Sequence, residues 1–587
     1  MTTYTRSATS GVALTSTTAW ATGVVPTSAD EGTWNGTSAA ASTHTSNWSV
    51  GKLSFGAGIG GNVALGTAGS TTAIVTLVGL SGEMVNLSGN TANRDVTFNG
   101  PVTFGSGGVG NVSIVGSPTS TGTLFFQLPI TKSSGDVAYS GTGGIQFSAN
   151  SDQTTPTWTG GSFTLNSGIL FLGNGTGTDG DSGVLGTPNV QLNIGSGNPT
   201  IVSSNLTILS RGVNNPININ GSFVFGGAAG AGVGRTRLDG PVTVGSGSYT
   251  ITVPTTSGTG AFFSNATTPI SGTGDLTKAG AGPLRLGTTG NANGTWTGKW
   301  LSSAGTTFVD NTNYFANAIF DSASIGVTWP ASARIGGVTG STNYAFPATL
   351  SFGPASVSPA SVNATWTGGF ITNNVTLTKF NPGTQILGGN STGRTTAATT
   401  ISAGAIQLNT ATGLYAAAAS NTTTVGSGGA LWLNGVTTNA GSLANISGDG
   451  VALNGALRNV GGNSTHSATI TLGASARIYN DIASTTLTLK NITWGANTLT
   501  LDTGATSTAT ILLDGTSSSS STNAQMVVSG TGITKAPRAT SIPTTNRVTV
   551  TVDTNARLQF TSTDAVVATV NTLKSNAGGN ARIIIGT

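Results

Sequence analysis

Among the 587 residues there is no cysteine, which excludes disulfide staples, cysteine metal sites and thiol catalysis. Charge is scarce too: Asp, Glu, Lys and Arg make up 7%, against roughly 25% in an ordinary soluble domain. The 22 basic and 18 acidic residues leave a formal net charge of +4. They form no basic patch with interleaved aromatics, so nucleic acid is not expected as a partner. Long apolar runs are missing. The strongest, residues 73–80, is less than half of the roughly 20 residues a membrane-crossing helix needs, and no membrane insertion is expected. No stretch sustains a 3.6-residue apolar period. The best helical candidate, residues 415–419, is one turn at most. Residues 1–6 carry one basic side chain, and Gly11-Val12-Ala13-Leu14 breaks at once into Thr15-Ser16-Thr17-Thr18. A chain starting this way is not expected to leave by the ordinary secretory route.

What is present is glycine, 89 residues of it, with Ser, Thr and Asn as the polar surface. Such chemistry suits disorder, but hydrophobic residues still reach 36%, and Val, Ile, Leu and Phe alternate with Thr and Ser. The alternation is cleanest near the C-terminus, where Ile470 and Leu472, Leu487 and Leu489, Leu499 and Leu501, then Ile511 and Leu513 each flank one residue. Short strands at this spacing suit successive faces of a stacked coil, and also a sandwich. Sparse charge fits stacking: rungs about 4.8 Å apart set like charges in repulsion, while Thr, Ser and Asn can form hydrogen-bonded ladders.

Repeated phrases favour the coil. Residues 270–286 read ISGTGDLTKAGAGPLRL. Leu377-Thr378-Lys379 followed by Gly383-Thr384-Gln385-Ile386-Leu387 echoes it, as does Ser529-Gly530-Thr531-Gly532-Ile533-Thr534-Lys535. A Trp phrase recurs as Trp158-Thr159-Gly160, Trp296-Thr297-Gly298 and Trp366-Thr367-Gly368. Units too short to bury an apolar face alone imply stacking. The predicted organisation is an N-terminal cap or attachment segment over 1–50, bearing Trp20, Trp34 and Trp48, a β-helix over 51–540, and C-terminal β coils or a cap over 541–587.

These phrases resemble the autotransporter-associated β-strand repeat, most closely over residues 271–286 and at Trp296-Thr297-Gly298. His466 stands where that pattern usually has an aromatic. The resemblance implies an all-β, elongated, right-handed parallel β-helix (solenoid) with a distinct N-terminal segment, of roughly twenty to thirty coils. Autotransporters normally add a signal peptide and a C-terminal membrane barrel, and neither is read here. The chain is therefore more similar to the versions found among bacteriophage structural proteins.

Candidate chemistry is thin. Glycoside hydrolysis generally needs two carboxylates roughly 5–10 Å apart. Only Glu31 and Glu83 are glutamates, and the closest aspartate constellation is Asp179-Gly180-Asp181. That segment reads as a Gly-rich surface loop, with a catalytic pair or a calcium loop as alternatives; it lacks the terminal bidentate Glu of the latter. His44 and His466 are too few for a three-histidine zinc site and read as surface or corner residues. The run Gly226-Gly227-Ala228-Ala229-Gly230-Ala231-Gly232 lacks the Gly-Lys-Ser/Thr ending of a phosphate loop. Trp158, Trp296 and Trp366 read either as an internal aromatic stack or as a sugar-stacking ladder.

The expectation is a non-enzymatic virion structural protein with no catalytic, cofactor or metal residues. It would be made in the host cytoplasm and displayed on the virion surface as a capsid decoration or fibre. Its expected partners are other virion proteins of capsid or tail, a homotrimer that protects the coil ends, and a host-surface glycan. The alternative is a bacterial cell-surface adhesin or autotransporter passenger that binds host or matrix glycans.

Overall fold

The computed structural model describes all residues except 9–10, 37, 39–40, 44–45, 68–70, 148–157, 173–184, 186, 188, 204–210, 227–235, 255–260, 264–269, 288–294, 354–360, 372–373, 417–419, 439–441, 507, 544–545, 547, 562–571, 576–579 and 587. The described residues are all-β, with only short 3₁₀ turns as helix, and form a parallel β-solenoid of about 19 turns. None of their helices is long and apolar enough to cross a membrane. The turn number falls below the expected range because connections between strands are long. Partners in adjacent turns are 21 residues apart at Glu31↔Lys52 and 32 apart at Leu53↔Val85. Two compact units are distinguished: residues 1–314 with 325–328, and residues 315–324 with 329–587.

In the first unit the turns over residues 52–104 visit three sheets in fixed order. Lys52–Phe55, Val63–Leu65 and Val75–Leu77 are followed by Glu83–Asn86, Val96–Phe98 and Val102–Phe104, each strand parallel to its predecessor one turn earlier. The period-two pattern decides the faces: in Val96–Phe98, Val96 and Phe98 point in and Thr97 points out. Inward rings then stack by register. Phe98 pairs with Phe126 and Phe126 with Phe147, with centroids 5.0 and 5.6 Å apart. Burying such a side chain contributes roughly 1.5–3 kcal/mol. Near the N-terminus, Trp34 stacks on Phe55 at 5.1 Å, and Trp20 meets Trp34 and Trp48 at 5.6 and 5.8 Å.

In the second unit two ladders alternate. Thr486–Thr493 leads to Thr510–Leu513, Ile533–Ala536, Arg557–Thr561 and Arg582–Gly586, while Thr498–Asp502 leads to Gln525–Ser529, Thr549–Val552 and Thr572–Ser575. Two strands are long, Asn421–Asn434 and Ser464–Asn480. Each pairs with different strands along its two halves.

Turn-to-turn contacts also use corner side chains. Asn47 Oδ1 accepts from Ile74 N at 3.0 Å, Asn111 Oδ1 from Asp136 N at 2.9 Å, Asn363 Oδ1 from Thr384 N at 2.7 Å and Asn463 Oδ1 from Thr486 N at 2.8 Å. Each satisfies a backbone donor that the corner leaves outside the sheet ladder. Two outward clusters join opposite charges across turns: Lys52 bridges Glu31 and Glu83 at 3.8 and 2.5 Å, and Asp514 joins Lys490 to Arg538.

Candidate functional site

The repeated phrases prove to be interior architecture. Their Lys278 and Lys379 are buried, as is Lys132 outside them, and the ammonium groups donate to corner carbonyls: Lys132 to Gly110, Lys278 to Gly280 at 2.6 Å and to Ala304, Lys379 to the backbone and side-chain oxygens of Asn381. Arg394 goes further. It donates to Val375 O, Leu414 O and Ala398 O at 2.7, 2.8 and 3.1 Å, with its guanidinium near the rings of Phe370 and Tyr415. Carbonyl dipoles, not carboxylates, solvate these cations. Burial pushes Lys278 down to about 8, Lys379 to about 7 and Arg394 to about 10.

One copy of the phrase departs. In Ile533–Ala536 the inward residues are Thr534 and Ala536, and Lys535 is turned outward. Gly274 is followed by Asp275 before Leu276, whereas Gly532 is followed directly by Ile533. One missing residue moves every later side chain to the opposite face.

The three phrase tryptophans are buried, which favours the internal reading over the sugar-stacking ladder. Their indole N–H groups are bonded to Gly160 O, Gly274 O and Thr342 O at 3.1, 2.7 and 3.0 Å. The Gly two residues on has a steric cause at two of them: a Cβ on Gly298 or Gly368 would strike the indole nitrogen and the carbonyl it bonds.

The other candidates are dispersed. His466 is fully buried, correcting the surface reading, with Nδ1 3.2 Å from Thr438 Oγ1 and its pKa lowered to about 4 by burial. Glu31 and Glu83 share Lys52, whose hydrogen bond holds Glu83 below the usual carboxylate range. Gly226 ends Phe223–Phe225 with φ +95°. His44, Asp179, Asp181 and residues 227–232 lie outside the described residues. Among the described residues, no three His, Asp or Glu side chains are grouped to hold a metal ion.

The most concentrated surface chemistry lies on an outer face of the second unit. Register places Gln407 beside Trp432, Trp432 beside Arg458, Arg458 beside Tyr479 and Tyr479 beside Asp502. Leu431 and Leu433 point in, so Trp432 between them points out. The Arg458 guanidinium sits between rings, 5.5 Å from the Trp432 centroid and 5.4 Å from that of Tyr479, and pairs with Asp481 at 3.3 Å. Arg477 spans Asp449 and Asp502 at 3.3 and 3.2 Å. Gln407 and Asn434 both donate to Asn409 Oδ1, at 2.8 and 3.0 Å.

A short loop borders this strip. Gly455 N donates to Asp449 O at 2.7 Å, closing a turn in which Ala452 and Leu453 have φ of +51° and +63°. Left-handed non-glycine residues cost roughly 1 kcal/mol or more each, and such strain gathers at functional sites. The turn leaves Leu453 64% exposed, with its carbonyl accepting from Arg477 at 3.4 Å. Burial, then Asp481 and Asp502, raise the Tyr479 phenol, so it stays a neutral donor. With Asp449, Asp481 and Asp502 all paired to guanidinium groups, the strip offers hydrogen-bond partners and ring edges rather than a free general acid or base.

Sequence reading missed this strip because its members lie 21 to 26 residues apart and meet only through register. A signal existed: Asp449, Arg458, Arg477, Asp481, Lys490 and Asp502 crowd into one stretch of a charge-poor chain. Compared with family models, with curated proteins and with solved structures, the chain gives no match.

Proposed function

We propose that the chain is a non-enzymatic structural protein of a bacteriophage virion, a surface decoration or fibre borne on the particle. One observation carries the reading: the recurring residues build the solenoid itself. Lys278 and Lys379 tie down corner carbonyls, and Trp296 and Trp366 fill the interior. The likeness of these phrases to autotransporter-associated repeats, in the versions found among phage structural proteins, supports the virion setting. Capsid or tail proteins and further copies of the chain are its partners in this reading.

The second reading, a bacterial surface adhesin or autotransporter passenger, is favoured by the outward strip around Trp432 and Tyr479. Gold-labelled antibodies against the chain, imaged on purified virions and on uninfected host cells, separate the two. Regular labelling of particles is expected. Label confined to bacterial envelopes would replace the first reading with the second.

A further inference from the structure

We propose that the outer strip centred on Trp432, Arg458 and Tyr479 is a binding site for an uncharged polysaccharide laid along the stack of turns. Most of its side chains are half-buried on the outer face, with Asp449 exposed and Asp502 buried. The Trp432 and Tyr479 rings stand two turns apart with Arg458 on the turn between them. Since the rung spacing of about 4.8 Å is close to the length of one pyranose unit, consecutive sugars would meet a ring, a guanidinium and a ring in turn. Ring edges supply apolar contact, and the amides of Gln407 and Asn434, the Tyr479 hydroxyl and the Arg–Asp pairs supply the hydrogen bonds a polyhydroxyl chain needs.

Charge selects the class of ligand. Two arginines face three aspartates (Asp449, Asp481 and Asp502), so the strip carries one net negative charge and opposes phosphate, sialic acid and uronate chains. Two shielded donors, Trp432 Nε1 and Arg458 Nε, have no hydrogen-bond partner among the described residues. An unpaired donor is costly, and a small rotation of these outward side chains toward ligand hydroxyls would satisfy both. The strained turn at Ala452 and Leu453 sets an exposed apolar tip beside the same groups.

The test is binding of the intact chain to an array of neutral, amino-bearing, sialylated and uronate-bearing bacterial oligosaccharides, followed by titration against the best neutral hit. Binding to neutral chains is expected, weakened at least tenfold by Trp432→Ala and several-fold by Tyr479→Phe, and unchanged by Arg538→Ala. Tyr479→Phe removes one oxygen and keeps the ring, so it decides the matter if Trp432→Ala fails to fold. Binding to no neutral chain, a preference for acidic ones, or full affinity in a folded Tyr479→Phe variant would overturn the proposal. The site serves a phage appendage and a bacterial adhesin equally, so its failure leaves the question of location untouched.

Discussion

The indole Nε1 of Trp296 lies 2.5 Å from where a Cβ on Gly298 would stand. The ring folds back over its own strand to reach Gly274 O, which that Cβ would also strike. The Trp-Thr-Gly phrase is therefore one steric unit: an inward ring, an outward threonine and a residue that must lack a side chain. Gly298→Ala and Gly368→Ala should each destabilise by about 1–3 kcal/mol through overpacking. Denaturant midpoints compared with those of a Thr297→Ala control would show it.

Lys379 carries a pH signature. Its pKa falls from 10.5 to about 7, so between those values the unfolded chain binds more protons than the folded one. Stability contributed at this site should rise as pH climbs from about 7 toward 10.5. Lys379→Met keeps the stem and removes the titration. The stability difference between wild type and variant should move in favour of wild type from pH 7 to pH 9.5, read by chemical denaturation at each pH.

His466 acts on the acid side. Buried and neutral, it has a folded pKa of about 4 against 6.5 in the unfolded chain. Stability is full above 6.5 and is lost as pH falls from there to about 4, because only the unfolded state takes up the proton. His466→Gln should flatten that segment of the stability–pH curve while leaving other acid-sensitive steps in place.

The Glu31–Lys52–Glu83 bridge should respond to salt. Lys52→Glu sets three carboxylates on neighbouring turns and should cost about 1–2 kcal/mol at low ionic strength, shrinking in 1 M salt. The same change should return Glu83 toward the ordinary carboxylate pKa, since the hydrogen bond from Lys52 is the largest cause of its depression.

Faces were legible in the sequence, while register was not. Ile470, Leu487, Leu499 and Ile511, chosen from alternation alone, are all buried, because a two-residue period fixes which side faces in. Which residues become neighbours depends on the length of each corner, and those lengths vary. The Trp432–Arg458–Tyr479 column was invisible for that reason. The phrase ending in Lys535 failed for a related one: likeness of letters survived the loss of one residue, but the inward face did not. Interior cations were equally hidden, since nothing in Leu-Thr-Lys announces that its lysine will be solvated by carbonyls.

The corner asparagines leave a direction in the molecule. At Asn47, Asn111, Asn363 and Asn463 the acceptor belongs to the earlier turn and the amide that fills it to the later one. A completed turn thus offers ready docking points to the segment emerging after it. A chain wound from its first residues toward its last would meet, at each of these corners, an acceptor already in place.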